Sequence, residues 1–279
     1  MTFLEVDNLQ RLECTAKTLN HGAEVDILVK SLLESNDSKL LADVKKIILM
    51  TDQLNSPQHG LIRTLFVERN ACKILADKLK FLLAVCKKAE TLSDVPKPAI
   101  KLLPKLLRAI RNLARPDGKG LLKMVDEGVC NTVVSIIKME ILRDEADVHQ
   151  MGWAACINLA ATSFNAKCID NESGIKLLVQ AGACKALIST LQNPAFRSVW
   201  AIFENALWAL VNISVYDDGE KELVQLGSPE LIVNCMRNEH FKTNGCVQEQ
   251  VDSRYSELKR FRPTLPSFFL PSFHFFFFI

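Results

Sequence analysis

The chain predicts an all-α fold, a solenoid of three-helix repeats, and three observations carry that prediction. Three segments overlay on one another: "GLLKMVDEGVCNTVVSII" (120–137), "GIKLLVQAGACKALISTL" (174–191) and "GEKELVQLGSPELIVNCM" (219–236). In each, a second glycine follows the first by eight residues: Gly120 and Gly128, Gly174 and Gly182, Gly219 and Gly227. An asparagine then stands 30 residues beyond the second glycine in two of them, Asn158 after Gly128 and Asn212 after Gly182. Self-similarity at a fixed period is the signature of stacked repeats, each too small to bury its apolar face alone.

The elements follow in order. A short helix ended by a glycine C-cap accounts for the paired glycines, because glycine adopts the left-handed cap conformation without a steric cost. The run after the second glycine is amphipathic at helical spacing, as in Val133, Ile136 and Ile137, or Leu187, Ile188 and Leu191. In "GSPEL" the order Ser228, Pro229, Glu230 predicts an N-cap, an N1 proline and an acid in the first turn. A third, longer helix ends in "RNLA" (111–114), "INLA" (157–160) or "VNIS" (211–214). The second glycines recur after 54 and then 45 residues, against about 40 to 47 for three-helix repeats. The longer interval implies an inserted loop.

Two earlier units are degenerate. "GAEVDILVKSLL" (22–33) follows the glycine and middle-helix pattern, and "NACKILADKLKFLL" (70–83) does so with Asn70 in place of glycine. Asparagine is the other residue that tolerates a left-handed cap. The proline-bearing stretch "KKAETLSDVPKP" predicts a surface loop between 84 and 100 inside one repeat. The helix of about 101–115 then divides by spacing: Leu103, Leu106, Leu107, Ile110, Leu113 and Ala114 form a core face. Lys101, Lys105, Arg108, Asn112 and Arg115 fall on a second row.

With 279 residues, 48% hydrophobic and 24% charged, the chain can bury a large core. Its net charge of +2 gives no global field of the kind that draws a protein to nucleic acid or an anionic membrane, so neither is expected as a partner. Nine scattered cysteines with no C-x-x-C pair read as reduced core hydrophobes. The start "MTFLEVDNLQ" lacks a basic n-region and apolar core. Both point to a cytoplasmic or nuclear protein. The histidines His21, His59, His149, His240 and His274 form no metal-ligand spacing and read as surface residues. No phosphate loop, nucleophile elbow or paired carboxylates stand out. Neither catalysis nor a metal or cofactor is expected.

"QAGACKALISTL" followed by "NALWALVNIS" resembles the armadillo repeat of β-catenin, importin-α and related proteins. The resemblance is strong over 117–237 and weak before 100. It implies a right-handed superhelix whose third helices line a concave groove for extended peptides. It also implies that Asn112, Asn158 and Asn212 hydrogen-bond a bound peptide's backbone. The proposed groove then runs from Lys101, Lys105 and Arg108, which suit acidic side chains, to Met151 and Ala154, and on to Ala201, Glu204, Trp208 and Val215. Trp200 and Trp153 read as core residues.

The implied function is a protein-interaction scaffold, read as a monomer. An importin-α-like nuclear import adaptor is the runner-up. The pair Trp208 and Asn212 resembles the W-x-x-x-N pairs of importin-α, but Arg108 and Ala154 stand at the equivalent tryptophan positions and the basic row repels a cationic signal. An armadillo-type exchange factor or chaperone for small GTPases fits the fold, though no residue identifies it.

On this reading residues 1–21 are an N-terminal helical cap or degenerate first helix. Residues 22–240 are the solenoid, about four to five units with the last incomplete. Residues 241–279 are a non-repeat tail, disordered or an artefact of gene prediction. Its end, "RPTLPSFFLPSFHFFFFI", is too short and too broken by Pro263, Pro266 and Pro271 to span a bilayer as a helix. Translation running from an exon into a pyrimidine-rich intron yields such a run of Phe, Leu, Ser and Pro. Finding the tail in mature spliced message would refute that origin.

Overall fold

The computed structural model describes residues 22–34, 37–52, 57–115, 119–161 and 172–236, and every regular element among them is a helix. Residues 1–21, the expected cap, and the tail beyond 236 lie outside the described residues. The chain divides into two compact units, Met1–Val129 and Cys130–Ile279. The first holds α1 (22–34), α2 (Asp37–Thr51), α3 (Pro57–Glu68), α4 (Ala71–Lys87), α5 (Lys97–Leu113) and α6 (Gly120–Asp126). From its boundary with the first, the second runs through α7 (Val129–Ile137), α8 (Ala146–Leu159), α9 (Glu172–Gln180), α10 (Ala183–Gln192), α11 (Trp200–Ser214), α12 (Asp217–Gln225) and α13 (Ser228–Met236).

Within each unit a helix stacks on its counterpart one repeat further along. In the first unit α2 packs on α5 and α3 on α6; in the second, α8 packs on α11, α9 on α12 and α10 on α13. That nearest-neighbour stacking is how a solenoid buries apolar faces that no single repeat could cover. The core face expected of α5 is the buried one, with Leu103, Leu106, Leu107, Ile110, Leu113 and Ala114 all at 2% exposure or less.

The cap reading holds at four of the expected positions, and fails at Gly22, which begins α1 without a positive φ. Gly128, Gly182 and Gly227 have φ of 72°, 88° and 75°, and Asn70, at 66°, is the one described non-glycine residue with a positive φ. Each donates its backbone N–H three residues back, to Val125, Val179, Val224 and Val67 respectively. The first glycine of the pair has a different task. A Cβ on Gly120 would lie 2.0 Å from the Leu113 carbonyl oxygen, and one on Gly219 would lie 2.5 Å from that of Ile213. Here the start of a first helix presses against the end of the preceding third helix.

Several local expectations are corrected. Ser228 is not an N-cap: Gly227 has already turned the chain, its carbonyl accepts from Leu231, and Ser228 sits buried as the first helical residue with an unbonded Oγ. Its counterparts Ala71, Val129 and Ala183 are equally buried. The loop of 84–100 is shorter than expected, because α4 runs to Lys87 and α5 begins at Lys97, with Pro98 in a first turn that needs no N–H. Between them Thr91 and Asp94 close a capping box around a 3-10 turn, Leu92–Asp94. Equivalent 3-10 turns, Glu140–Leu142 and Pro194–Phe196, join middle to third helices in later repeats. Trp153 is fully buried as expected, but Trp200 is only half-buried. The extra residues of the long repeat interval fall between α8 and α9.

Cys72, Cys86, Cys130, Cys156 and Cys184 are buried and free of disulfides. Burial raises the thiol pKa of each, Cys130 to about 12, so they behave as core hydrophobes. Among the described residues no single helix is long and apolar enough to cross a membrane.

Candidate functional site

The third helices carry the residues singled out above, in two groups. In the second unit, α11 holds Glu204, Trp208 and Asn212, all half-buried, and α8 holds half-buried Met151 and Asn158. Ala154, expected beside them, is 4% exposed and belongs to the core. Asn212 donates its Nδ2 to the carbonyl of Ile157 at 3.0 Å, and Asn205 donates to that of Gln150 at 3.0 Å. The two donors are seven residues apart, and so are the two acceptors. Seven residues is about 20° short of two helical turns. Hence α8 and α11 run parallel and in register, with two amides clamping one helix to the other. The Ile157 carbonyl lies in the last turn of α8, where Ala161 donates to Asn158 and leaves it for Asn212. The Asn212 amide nitrogen is therefore committed to α8, while Trp208, one turn earlier, lies on the side of α11 opposite its core residues Phe203, Ala206 and Leu210.

In the first unit the row on α5 is basic. Lys101 is exposed, Lys105, Arg108, Arg111 and Arg115 are half-buried, and Asn112 is 5% exposed. Asn112 donates to Thr51 Oγ1 at 3.1 Å and to Asp52 Oδ1 at 3.3 Å, both at the end of α2. Asp52 also pairs with the Arg108 guanidinium. Burial lowers the Arg111 pKa, the charges of Arg108 and Arg115 lower it further, and Asp52 opposes them. Arg111 thus feels the charges of Arg108, Arg115 and Asp52 together.

Four of these participants were not expected from sequence. Thr51, Asp52 and Arg111 became visible only once α2 lay against α5. Asn205 had a signal, its seven-residue spacing from Asn212. His149, expected at the surface, is 4% exposed and packed against Phe196, the rings tilted by 54° with centroids 4.8 Å apart. Its Nδ1 meets Thr190 Oγ1 at 3.2 Å, and Trp153 Nε1 donates to the same oxygen at 3.1 Å. Among the described residues no group of His, Cys, Asp or Glu is arranged to hold a metal ion.

Stacked three-helix repeats with a left-handed cap between first and second helices define an all-α solenoid of the armadillo type. Solved structures give the same result. An engineered protein superposes with a TM-score of 0.59 at 17% identity, covering 90% of this chain and 94% of its own. Computationally designed armadillo repeat proteins for modular peptide recognition superpose at 0.56 with 19% identity, over 80% of this chain and 79% of theirs. A designed armadillo repeat protein in complex with the peptide (KR)4 superposes at 0.57 with 16% identity, over 90% of this chain and 99% of its own. No protein-family model and no curated protein sequence matches the chain.

Proposed function

We propose that the chain is a peptide-binding scaffold that acts without catalysis, and that its third helices present the contact surfaces. One observation carries this reading. None of the 15 residues of α11 is fully exposed, although its outward side carries Trp208, Glu204 and Asn212. A helix face that is neither core nor open surface is recessed, and recessed faces with an aromatic and a few polar groups are where ligands bind. The designed armadillo proteins of the same fold, built for peptide recognition, support it.

The chemistry differs between the units. Lys101, Lys105 and Arg108 suit acidic side chains through charge-assisted bonds. Trp208 offers a flat apolar surface, with Asn158 beside it for an extended backbone and only the Oδ1 of Asn212, whose Nδ2 bonds Ile157, turned to that task. A second reading, an importin-like adaptor for basic signals, is favoured by Glu204 standing one turn from Trp208, a carboxylate and an aromatic face for one cation.

A display library of random 12-residue peptides, panned on the full chain, tests both. The wild-type chain should enrich a family of peptides, and Trp208→Ala should weaken them about tenfold while Lys185→Ala on α10 leaves them unchanged. Thermal melts control for folding. Acidic consensus peptides favour the first reading and lysine-rich ones the second. Identical enrichment by the Trp208 variant sinks the α11 surface as a peptide site.

A further inference from the structure

Leu49 is 75% exposed, although Leu40, Val44 and Ile47 of the same helix are buried. Those three share one side of α2, and Leu49 stands on the opposite side. A single exposed leucine needs no explanation, but this one belongs to a row. Lys45, Leu49 and Asp52 follow one another at steps of four and three, the spacing of Lys101, Lys105 and Arg108 on α5, and each set shares one side of its helix. The two rows meet at Asp52, which pairs with Arg108 and accepts from Asn112 at 3.3 Å. Cations surround the leucine. No acidic residue occurs anywhere in α5. Among the described residues no carboxylate pairs with Lys45, Lys101 or Lys105, of which the first two are exposed and the third half-buried. Asp52, the one carboxylate of the two rows, is already held by Arg108.

We propose that Lys45 and Leu49 of α2, with Lys101 and Lys105 of α5, form a subsite for an acidic peptide segment that carries one apolar side chain. This rests on the peptide-binding reading above and gives the first unit a specificity of its own. Carboxylates of the segment seat on the lysines, and its apolar side chain covers Leu49. Helix geometry sets the spacing between them. Packed helices lie about 8 to 10 Å apart, and an extended chain advances about 3.3 Å per residue. A segment crossing from α2 to α5 therefore carries its acid about three residues from its apolar side chain. Leu49 is thus a specificity-determining residue: the lysines alone accept any acidic segment, and the leucine selects those with an apolar residue at that distance.

Nine-residue peptide libraries with one fixed glutamate, and one position scanned at each distance from it, test this on the full chain. Apolar residues about three positions from the glutamate should be favoured about tenfold over serine, and those next to it should not. Leu49→Gln should erase that preference and keep the requirement for glutamate. Lys101→Gln combined with Lys105→Gln should weaken every glutamate library about tenfold. Because Leu49 is exposed, Leu49→Gln should melt with the wild type, which separates lost recognition from lost folding.

An apolar preference that survives Leu49→Gln, or that shows equally at every distance, would overturn the subsite. So would sedimentation showing a wild-type dimer that Leu49→Gln dissociates, since a second copy would then cover the leucine. Binding of random peptides through Trp208, with no binding of any glutamate library, would overturn the subsite and keep the peptide-binding reading. Binding of neither kind of peptide would sink that reading and the subsite with it.

Discussion

Thr190 sits between two rings that make different demands on its hydroxyl. Trp153 Nε1 can only donate, so it takes one lone pair of Thr190 Oγ1, and the same hydroxyl bonds His149 Nδ1 through its proton or its second lone pair. The other ring nitrogen, Nε2, is a buried atom with no hydrogen-bond partner. Burial pushes the His149 pKa down from 6.5 to about 4, opposed by the Leu142 carbonyl and the Asp144 carboxylate. Because the folded value is the lower one, the unfolded chain binds the proton first as pH falls. Stability from this group is whole above pH 6.5, is lost between 6.5 and 4, and changes no further below 4, in all by about 3 kcal/mol. Urea unfolding of wild type and His149→Gln at pH 7.5 and 4.5 reads this out. The variant starts less stable but should lose about 2 kcal/mol less on acidification. Equal losses would show that His149 is not the acid-sensitive group. A phenylalanine partner and a threonine two turns along another helix are what bury this ring, and neither is adjacent to it in sequence.

Within an element, the paired glycines separate two kinds of constraint that look alike in sequence. Gly227 needs its φ of 75° but has open space around it, whereas Gly219 has ordinary φ and meets Ile213 from 2.5 Å. Gly227→Ala should therefore cost about 1 kcal/mol, the left-handed penalty of one residue. Gly219→Ala should cost about 3 kcal/mol, because a backbone oxygen cannot step aside as a side chain can. Asn70→Gly, at the equivalent cap, should be neutral or stabilise by a few tenths of a kcal/mol. Denaturant midpoints of the three variants check the ranking, and a Gly227 variant worse than Gly219 would reverse the assignment. The caps were legible because a left-handed turn is fixed by its own residue, which is why even Asn70 could be read. The third-helix amides were legible as a row, yet their partners were not. Asn212 bonds a carbonyl 55 residues away and Asn112 a hydroxyl 61 away, distances over which a single sequence carries no register. Asn212→Ala should cost about 1 kcal/mol through the lost bond to Ile157. Ser228 shows the opposite failure, a good local N-cap signal overridden by the tighter turn one residue earlier.

At the scale of the whole molecule, stability is a sum of repeat terms and interfaces between neighbours, so damage should stay near its source. The two compact units make that locality measurable. Leu106, fully buried in α5, lies in the first unit. Leu106→Ala removes its packing and leaves a cavity, at a cost of about 2 to 5 kcal/mol. Hydrogen exchange read by mass spectrometry on the full chain should then show lost protection in α2, α4 and α5. Protection in α10 and α11 should stay close to wild type, since their core is built from Leu187, Phe203, Leu210 and Ile213. The converse variant, Leu210→Ala, should loosen α8, α10 and α11 and spare α2 and α5. If either substitution instead lowered protection evenly from α2 to α13, the chain would unfold as one cooperative body. The nearest-neighbour account would then fail, and with it the expectation that the basic row on α5 and the aromatic shelf on α11 can be altered one at a time.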